Sequence, residues 1–392
     1  MQILEPNTQS PVNFALFALA FRPFFILAGL SAVLLLAFWL LAMSLGWQIT
    51  ATIPPVYWHA HEMIFAYSSA VIAGFLLTAA RNWSGVQTLN GKPLILLAAL
   101  WLAPRVLVFM PLDLIWVALI ELSFFVFLAI AIACPIVRAR QWNNSVFIAL
   151  IVCYGVADAL YYAEFISGLS NGEEWGIHYG LGVIIVIITL MAGRVVGFFI
   201  TRGLNQPVKN YRWANLLAVM GTAVFMAGQF VLPLNSLIVI ALLAAVGHFG
   251  RLLGWYHHDI WKNPLLWVLY LGYGWLLAGF VLTAMHLAGL LAESLAIHGF
   301  TVGAIGSITL GMMARVALGH TGRELQSAAS INLAFVLINM AALIRVGLPM
   351  LAPALSISWI QLSGSLWLLA FLLFCRVYIP LLITARVDGQ PG

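Results

Sequence analysis

Residues 113–137 read DLIWVALIELSFFVFLAIAIACPIV. After the opening aspartate, Glu121 is the only charged residue before the stretch ends. About 20 consecutive apolar residues cross the ~30 Å hydrocarbon core of a bilayer as a helix. A barrel strand would instead alternate apolar and polar residues over about ten positions. This stretch is therefore read as a membrane-spanning helix. Comparable runs, bounded by Pro, Gly, Asn or charge, fall at 22–46, 57–80, 92–110, 143–167, 175–201, 212–231, 235–256, 263–289, 293–317, 328–347 and 355–384, and the run at 92–110 is short. The composition agrees: of 392 residues 64% are hydrophobic and only 7% charged, with a mean hydropathy of +1.05. A soluble domain would carry about 25% charged residues. The reading is an all-α, polytopic transmembrane helical bundle of about twelve helices, a single integral membrane domain over 1–392. An ordinary soluble enzyme, a disordered chain and a coiled coil are excluded.

The net charge of +5 would suggest nucleic acid in a soluble protein. Here it encodes topology, because Lys and Arg collect on the cytoplasmic side of membrane proteins. With the N-terminus placed inside, the inner helix ends gather Arg22, Arg81, Lys92, Arg138, Arg140, Arg202, Lys209, Arg212, Arg251, Lys262, Arg315, Arg323, Arg376 and Arg386. The outer ends gather only Arg105 and Arg345, and Arg194 falls inside a span. One missed span would scramble that split. Both termini are therefore expected in the cytoplasm, and no nucleic-acid partner is expected; the solvent of the chain is the lipid bilayer. The first run is too long for a cleaved signal and is expected to be retained. Cys134, Cys153 and Cys375 lie in apolar stretches without metal-type spacing and read as packing residues.

Nine histidines accompany twelve carboxylates, and an ionisable group inside a membrane is by default a functional candidate. His59, His61, His178, His286 and His298 all fall toward the outer ends of their spans. His248, His257, His258 and His320 fall toward the inner ends. Five imidazoles at one depth from four helices amount to a supply of ligands for iron, copper or zinc. In Trp58-His59-Ala60-His61-Glu62, helical residues turn about 100° each, so His59 and His61 face nearly opposite ways. They either serve two neighbouring centres, or one ligates while the other hydrogen-bonds. Glu62, three residues after His59, is placed to orient an imidazole or to carry protons. Gly299, Gly303 and Gly306 after His298, and Gly176, Gly180, Gly193 and Gly197 around His178, would admit either a macrocycle or a neighbouring helix. Arg194, His248 and Arg251 could hold heme propionates or neutralise carboxylates. Glu121, Asp158 and Glu164 could form a proton path or pair with those arginines. His257 and His258, beside Asp259 and Lys262, read as solvated loop residues.

Phe21-Arg22-Pro23-Phe24-Phe25, Trp58-His59-Ala60-His61-Glu62-Met63, Ala73-Gly74-Phe75-Leu76-Leu77-Thr78-Ala79 with Asn82-Trp83-Ser84-Gly85, and Met312-Met313-Ala314-Arg315-Val316 leading to Gly319-His320-Thr321-Gly322-Arg323 together resemble the NnrS family. The resemblance runs from the first helix to the tenth. It implies a multi-pass protein of the bacterial inner membrane, heme of b type and copper as cofactors, and nitric oxide metabolism or nitrosative-stress resistance as the context. Matching motif positions make His59, His61, Glu62, His298, Arg315 and His320 the site candidates. The expectation is that His59 and His298 ligate heme, with Arg194, His248, Arg251, Arg315 and His320 as further cofactor contacts. His61, His178 and His286 would hold copper or a second metal. Nitric oxide is the expected small-molecule ligand, reduced with electrons from a quinol or a cytochrome. Two other classes stand beside this oxidoreductase reading: a non-catalytic nitric oxide sensor or scavenger, and a secondary transporter. The transporter would call for internal repeats and midplane sites, and neither is visible.

Overall fold

The computed structural model describes residues 14–50 and 52–390. Among the described residues there are twelve long helices and no strand. They are α1 (Phe21–Leu45), α2 (Pro55–Ser84), α3 (Gly91–Leu107), α4 (Leu114–Arg138), α5 (Ser145–Ser167), α6 (Gly172–Leu204), α7 (Arg212–Gly228), α8 (Leu234–Trp255), α9 (Pro264–Leu287), α10 (Glu293–His320), α11 (Ala329–Leu351) and α12 (Ser356–Ile383). Ten are long and apolar enough to cross a membrane. The other two, α3 and α7, have 17 residues each, about 26 Å of helix against a ~30 Å core. The chain is a multi-pass membrane protein. Its extreme termini, on which the expected cytoplasmic orientation bears, lie outside the described residues.

Local chemistry sets the helix ends. Pro55 starts α2, where a missing N–H costs nothing. Gly85, in the left-handed region at φ +69°, ends it and donates its N–H to the Arg81 carbonyl at 2.8 Å. Asp113 caps α4 by accepting from the Ile115 N–H, and Asn263 caps α9 by accepting from Leu265. Pro264 follows at the first helical position of α9.

The helices pack up and down, and the last returns to the first. Trp367 on α12 donates to the Ala32 carbonyl on α1 at 3.1 Å, and Arg22 donates to the Leu382 carbonyl at 2.8 Å. The start of α1, the end of α10 and the end of α12 therefore share one end of the bundle. The starts of α2, α4, α6 and α10 and the ends of α3, α5, α9 and α11 share the other. α2 and α10 are the most enclosed helices, each with 83% of its apolar window buried inside the protein.

Both of these central helices change their winding. Glu62–Ser68 in α2 and Gly299–Gly306 in α10 are π-helical, with ordinary α-helix on either side. A π segment widens the coil and leaves backbone carbonyls less regularly paired, and such segments occur frequently at functional sites. Each begins directly after a histidine, His61 in one case and His298 in the other. One freed carbonyl is answered by a side chain, since Tyr154 on α5 donates to the Ile64 carbonyl. Tyr67 and Thr309 join the two central helices by a hydroxyl pair at 2.5 Å.

The glycine faces are closed by protein. A Cβ on Gly303 would stand 2.6 Å from the Trp275 ring, one on Gly306 2.6 Å from Trp367, and one on Gly180 2.6 Å from Phe65. Of the two readings of these stripes, helix packing is the one found, because neighbouring side chains already fill the space a macrocycle would need. The tryptophans also divide. Trp47, Trp142, Trp213 and Trp261 are exposed as a membrane-interface belt requires, whereas Trp58 is buried against Phe38 and Phe109.

Candidate functional site

Two polar groupings meet at the end of the bundle where α2 begins, and they use opposite faces of that helix. On the first face His61 is 3% exposed and enters a fully enclosed set of ionisable groups. Its Nδ1 lies 3.1 Å from Glu62 Oε1. Its Nε2 lies 3.0 Å from Asp158 Oδ1 on α5 and 3.7 Å from Glu121 Oε2 on α4. Arg105 on α3 completes the set, with Nε 3.3 Å from Glu62 Oε2 and Nη2 donating to Glu121 Oε1. Tyr162 donates to Glu121 Oε2 at 2.7 Å, and Tyr161 stacks on the imidazole with ring centroids 4.4 Å apart. Glu62, Arg105, Glu121 and Asp158 are all buried. His61, Glu121 and Asp158 each offer a ligand atom within 4.8 Å of the others, which makes them a possible buried metal site.

On the opposite face His59 is half-buried and stacks on Trp39 of α1, with centroids 4.0 Å apart and planes at 16°. It lies within electrostatic range of His298 on α10, and both lie within range of the Arg345 guanidinium on α11. His298 Nδ1 donates to the Ser294 carbonyl at 2.5 Å. That bond fixes the tautomer and leaves Nε2 with its lone pair free for a metal. The helical turn that separates His59 from His61 thus sends them to two centres. Glu62 follows His61 rather than His59: its carboxylate is drawn between the His61 ring and Arg105, a cation that sits only on that side.

His178 and His286 form a third place, away from His61. His178 Nδ1 donates to the Glu174 carbonyl at 2.8 Å and its Nε2 meets Glu293 Oε1 at 2.9 Å. His286 Nδ1 donates to the Leu291 carbonyl at 3.1 Å. Both line a cavity of about 120 Å³ that Phe225, Phe230 and Phe300 wall on the apolar side. His61 does not join His178 and His286 around one ion, since its Nε2 faces Asp158 and Glu121 and not the cavity those two line.

The remaining candidates have neutral partners. His248 is fully buried, bonded through Nε2 to Thr222 at 3.0 Å and through Nδ1 to Tyr273 at 2.7 Å, and stacked on Phe280. Arg251 donates to the Thr189 carbonyl, Tyr273 and Asn215. Arg194 donates to Asn144 at 2.6 Å and lies over Phe147 and Trp83. Arg315 is buried with its guanidinium 4.2 Å from the centre of the Phe199 ring. The His320 ring packs on Phe21, and its carbonyl accepts from Arg386. Among the described residues, Arg194, His248 and Arg251 meet no carboxylate. His257, His258 and Asp259 do cluster, in the partly exposed loop before α9, where Lys262 at 2.6 Å from Asp259 holds that carboxyl below its ordinary range.

Arg105 is the residue that sequence reasoning passed over. Its signal was present, because Arg105 and Arg345 were the two cations on the wrong side of the basic-residue split. Each of them proves to stand at one of the two polar groupings.

Fold and site together define a polytopic helical membrane protein whose two π-wound central helices carry histidines into separate centres, one buried and one half-buried. The NnrS protein family model matches residues 15–386, nearly the whole chain, and the chain belongs to that family. No curated protein matches it.

Proposed function

We propose that this protein binds heme and copper in the bacterial inner membrane and reduces nitric oxide. Family membership supports the nitric oxide context. The observation that carries the reading is that His59 and His298, from the two π-wound helices, lie within electrostatic range of each other, with His298 Nε2 left free by its Nδ1 bond to Ser294. His59 and His298 would hold the heme iron through their imidazoles, and the Arg345 guanidinium would pair with a propionate. The filled glycine faces direct such a group to the half-buried side of α2 and α10, next to Trp39. His178 and His286, beside a cavity, are the imidazoles proposed for copper: His286 keeps Nε2 for it, and His178 would exchange its Nε2 contact with Glu293 for the metal. When bound, the metals supply a site for nitric oxide and a route for electrons.

The chain's own residues account for the rest. Reduction of two nitric oxide molecules to nitrous oxide and water takes up two electrons and two protons. Glu62, one residue from His61 and in contact with Arg105, is the carboxylate closest in sequence to the heme-side histidine. Its carboxylate, held between His61 and Arg105, would exchange protons within the buried set on the opposite face of α2. With this end of the bundle facing outward, as the basic residues argue, the chemistry sits near the outer surface. The electron donor is a quinol or a cytochrome.

The test is spectroscopic. The purified, metal-replete protein is expected to show heme absorption bands that shift on addition of nitric oxide, and His59→Ala and His298→Ala are each expected to lose most of the heme. Heme-free wild-type protein would refute the assignment. Repeated consumption of nitric oxide with an electron donor marks an enzyme, whereas stoichiometric saturation marks the scavenger or sensor.

A further inference from the structure

We infer that His61, Glu121 and Asp158 form a site for a hard divalent metal ion, distinct from heme and from copper. The argument starts with hydrogen positions. Glu62 can only accept from His61 Nδ1, so that nitrogen carries its proton. The remaining nitrogen, Nε2, faces two carboxylate oxygens, Asp158 Oδ1 at 3.0 Å and Glu121 Oε2 at 3.7 Å. A lone pair opposite two anionic oxygens is repulsive unless a cation stands between them. A proton on Nε2 is one such cation and a metal is the other.

Charge decides between them. Three carboxylates stand against Arg105 and, if protonated, His61, which leaves an enclosed set with one uncompensated negative charge. In apolar surroundings an uncompensated charge is costly. With neutral His61 the set carries two negative charges, and a divalent ion brings it to zero. The spacing is close to that of a ligand set: ligands about 2.1 Å from one ion at tetrahedral to octahedral angles lie roughly 3.0–3.4 Å apart, the His61–Asp158 distance of 3.0 Å is in that range, and Glu121, at 3.7 Å, needs to close by a few tenths of an ångström. The surroundings also match those of a metal ligand set. The imidazole is braced through Nδ1 by a carboxylate, and Glu121 is held by Arg105 and Tyr162. Asp158 Oδ2, on a residue with no exposure, has no hydrogen-bond partner. One imidazole with carboxylate oxygens and no sulfur suits Fe²⁺, Mn²⁺ or Zn²⁺ and not Cu⁺.

The site does not depend on heme at His59 and His298, and the experiment separates the two. Full-length protein in detergent is loaded separately with Mn²⁺, Zn²⁺ or, anaerobically, Fe²⁺, desalted, and its metal counted by mass spectrometry. The expected result is about one tightly held divalent ion per chain, present equally in His59→Ala and His298→Ala. Affinity is expected to fall at least tenfold in Asp158→Asn and in Glu121→Gln. Because these variants could fold poorly, the wild type is also titrated with Mn²⁺ and followed by the electron paramagnetic resonance of the free ion, which should vanish up to the first equivalent. Undiminished free-ion signal, a metal content matching that of the Glu121→Gln/Asp158→Asn double variant, or occupancy by copper alone would overturn the inference.

Discussion

Replacing Arg105 by methionine should destabilise the protein more than any other single arginine change in the membrane. The guanidinium is 8% exposed and answers Glu62 at 3.3 Å as well as Glu121. At an effective dielectric constant of 20, one such contact is worth about 5 kcal/mol before desolvation. Methionine keeps much of the volume and removes the charge, leaving two carboxylates buried without their partner. Breaking a buried pair from one side typically costs about 3–5 kcal/mol. At roughly 2 °C per kcal/mol for a large chain, the unfolding midpoint should drop by about 6–10 °C. The assay is thermal unfolding in detergent followed by tryptophan fluorescence, at fixed scan rate and protein concentration. Adding Glu62→Gln and Glu121→Gln to the methionine variant should restore much of the loss, because the stranded charges are then gone. A single variant that melts with the wild type, or a triple variant that melts lower still, would refute the account of Arg105 as the counter-charge of this set.

Two further tests probe packing and the inner histidine. Gly247→Ala should cost about 1–3 kcal/mol, since its Cβ would come 2.2 Å from the Ala218 backbone nitrogen, while Gly274→Ala, with nothing within 4 Å, should be neutral or slightly stabilising; equal melting of the two would show that α7 and α8 are not packed as described. His248→Phe should lower stability by about 1–3 kcal/mol by orphaning Thr222 and leaving the Tyr273 hydroxyl only its bond from Arg251 and leave heme content unchanged, and heme loss in that variant would return His248 to the cofactor site.

What could be read from the chain alone follows the range of the interactions. Helix number and approximate ends were legible because each span is a local fact: apolar length closed by Pro, Gly, Asn or charge. The divergence of His59 and His61 was legible for the same reason, since two residues of helix fix an angle. Pairing across helices was not. His61, Arg105, Glu121 and Asp158 come from four different helices, and nothing in the local pattern says which of several buried carboxylates meets which cation. Pairing with Arg194 and Arg251 was one of the two roles open to those carboxylates, yet both arginines sit where asparagine, threonine and tyrosine oxygens surround them. The π segments were equally silent, because Glu62–Ser68 and Gly299–Gly306 have apolar sequences that would also wind as ordinary helix. Their widening answers tertiary demands, such as the hydroxyl of Tyr154 reaching the Ile64 carbonyl.

One long-range feature did leave a trace. A positive charge at the end of the bundle where basic residues are scarce departs from the pattern that places the others, and a local interaction is the physical reason to look for. Arg105 is held by two buried carboxylates, and Arg345 lies within electrostatic range of His59 and His298. In a chain with 17 basic residues, the exceptions to the topological pattern therefore point to polar chemistry more sharply than the residues that obey it. The same logic explains why Arg194, His248 and Arg251 attracted attention without belonging to either centre: they lie on the side where basic residues are already expected, and neutral oxygens are enough to hold them there.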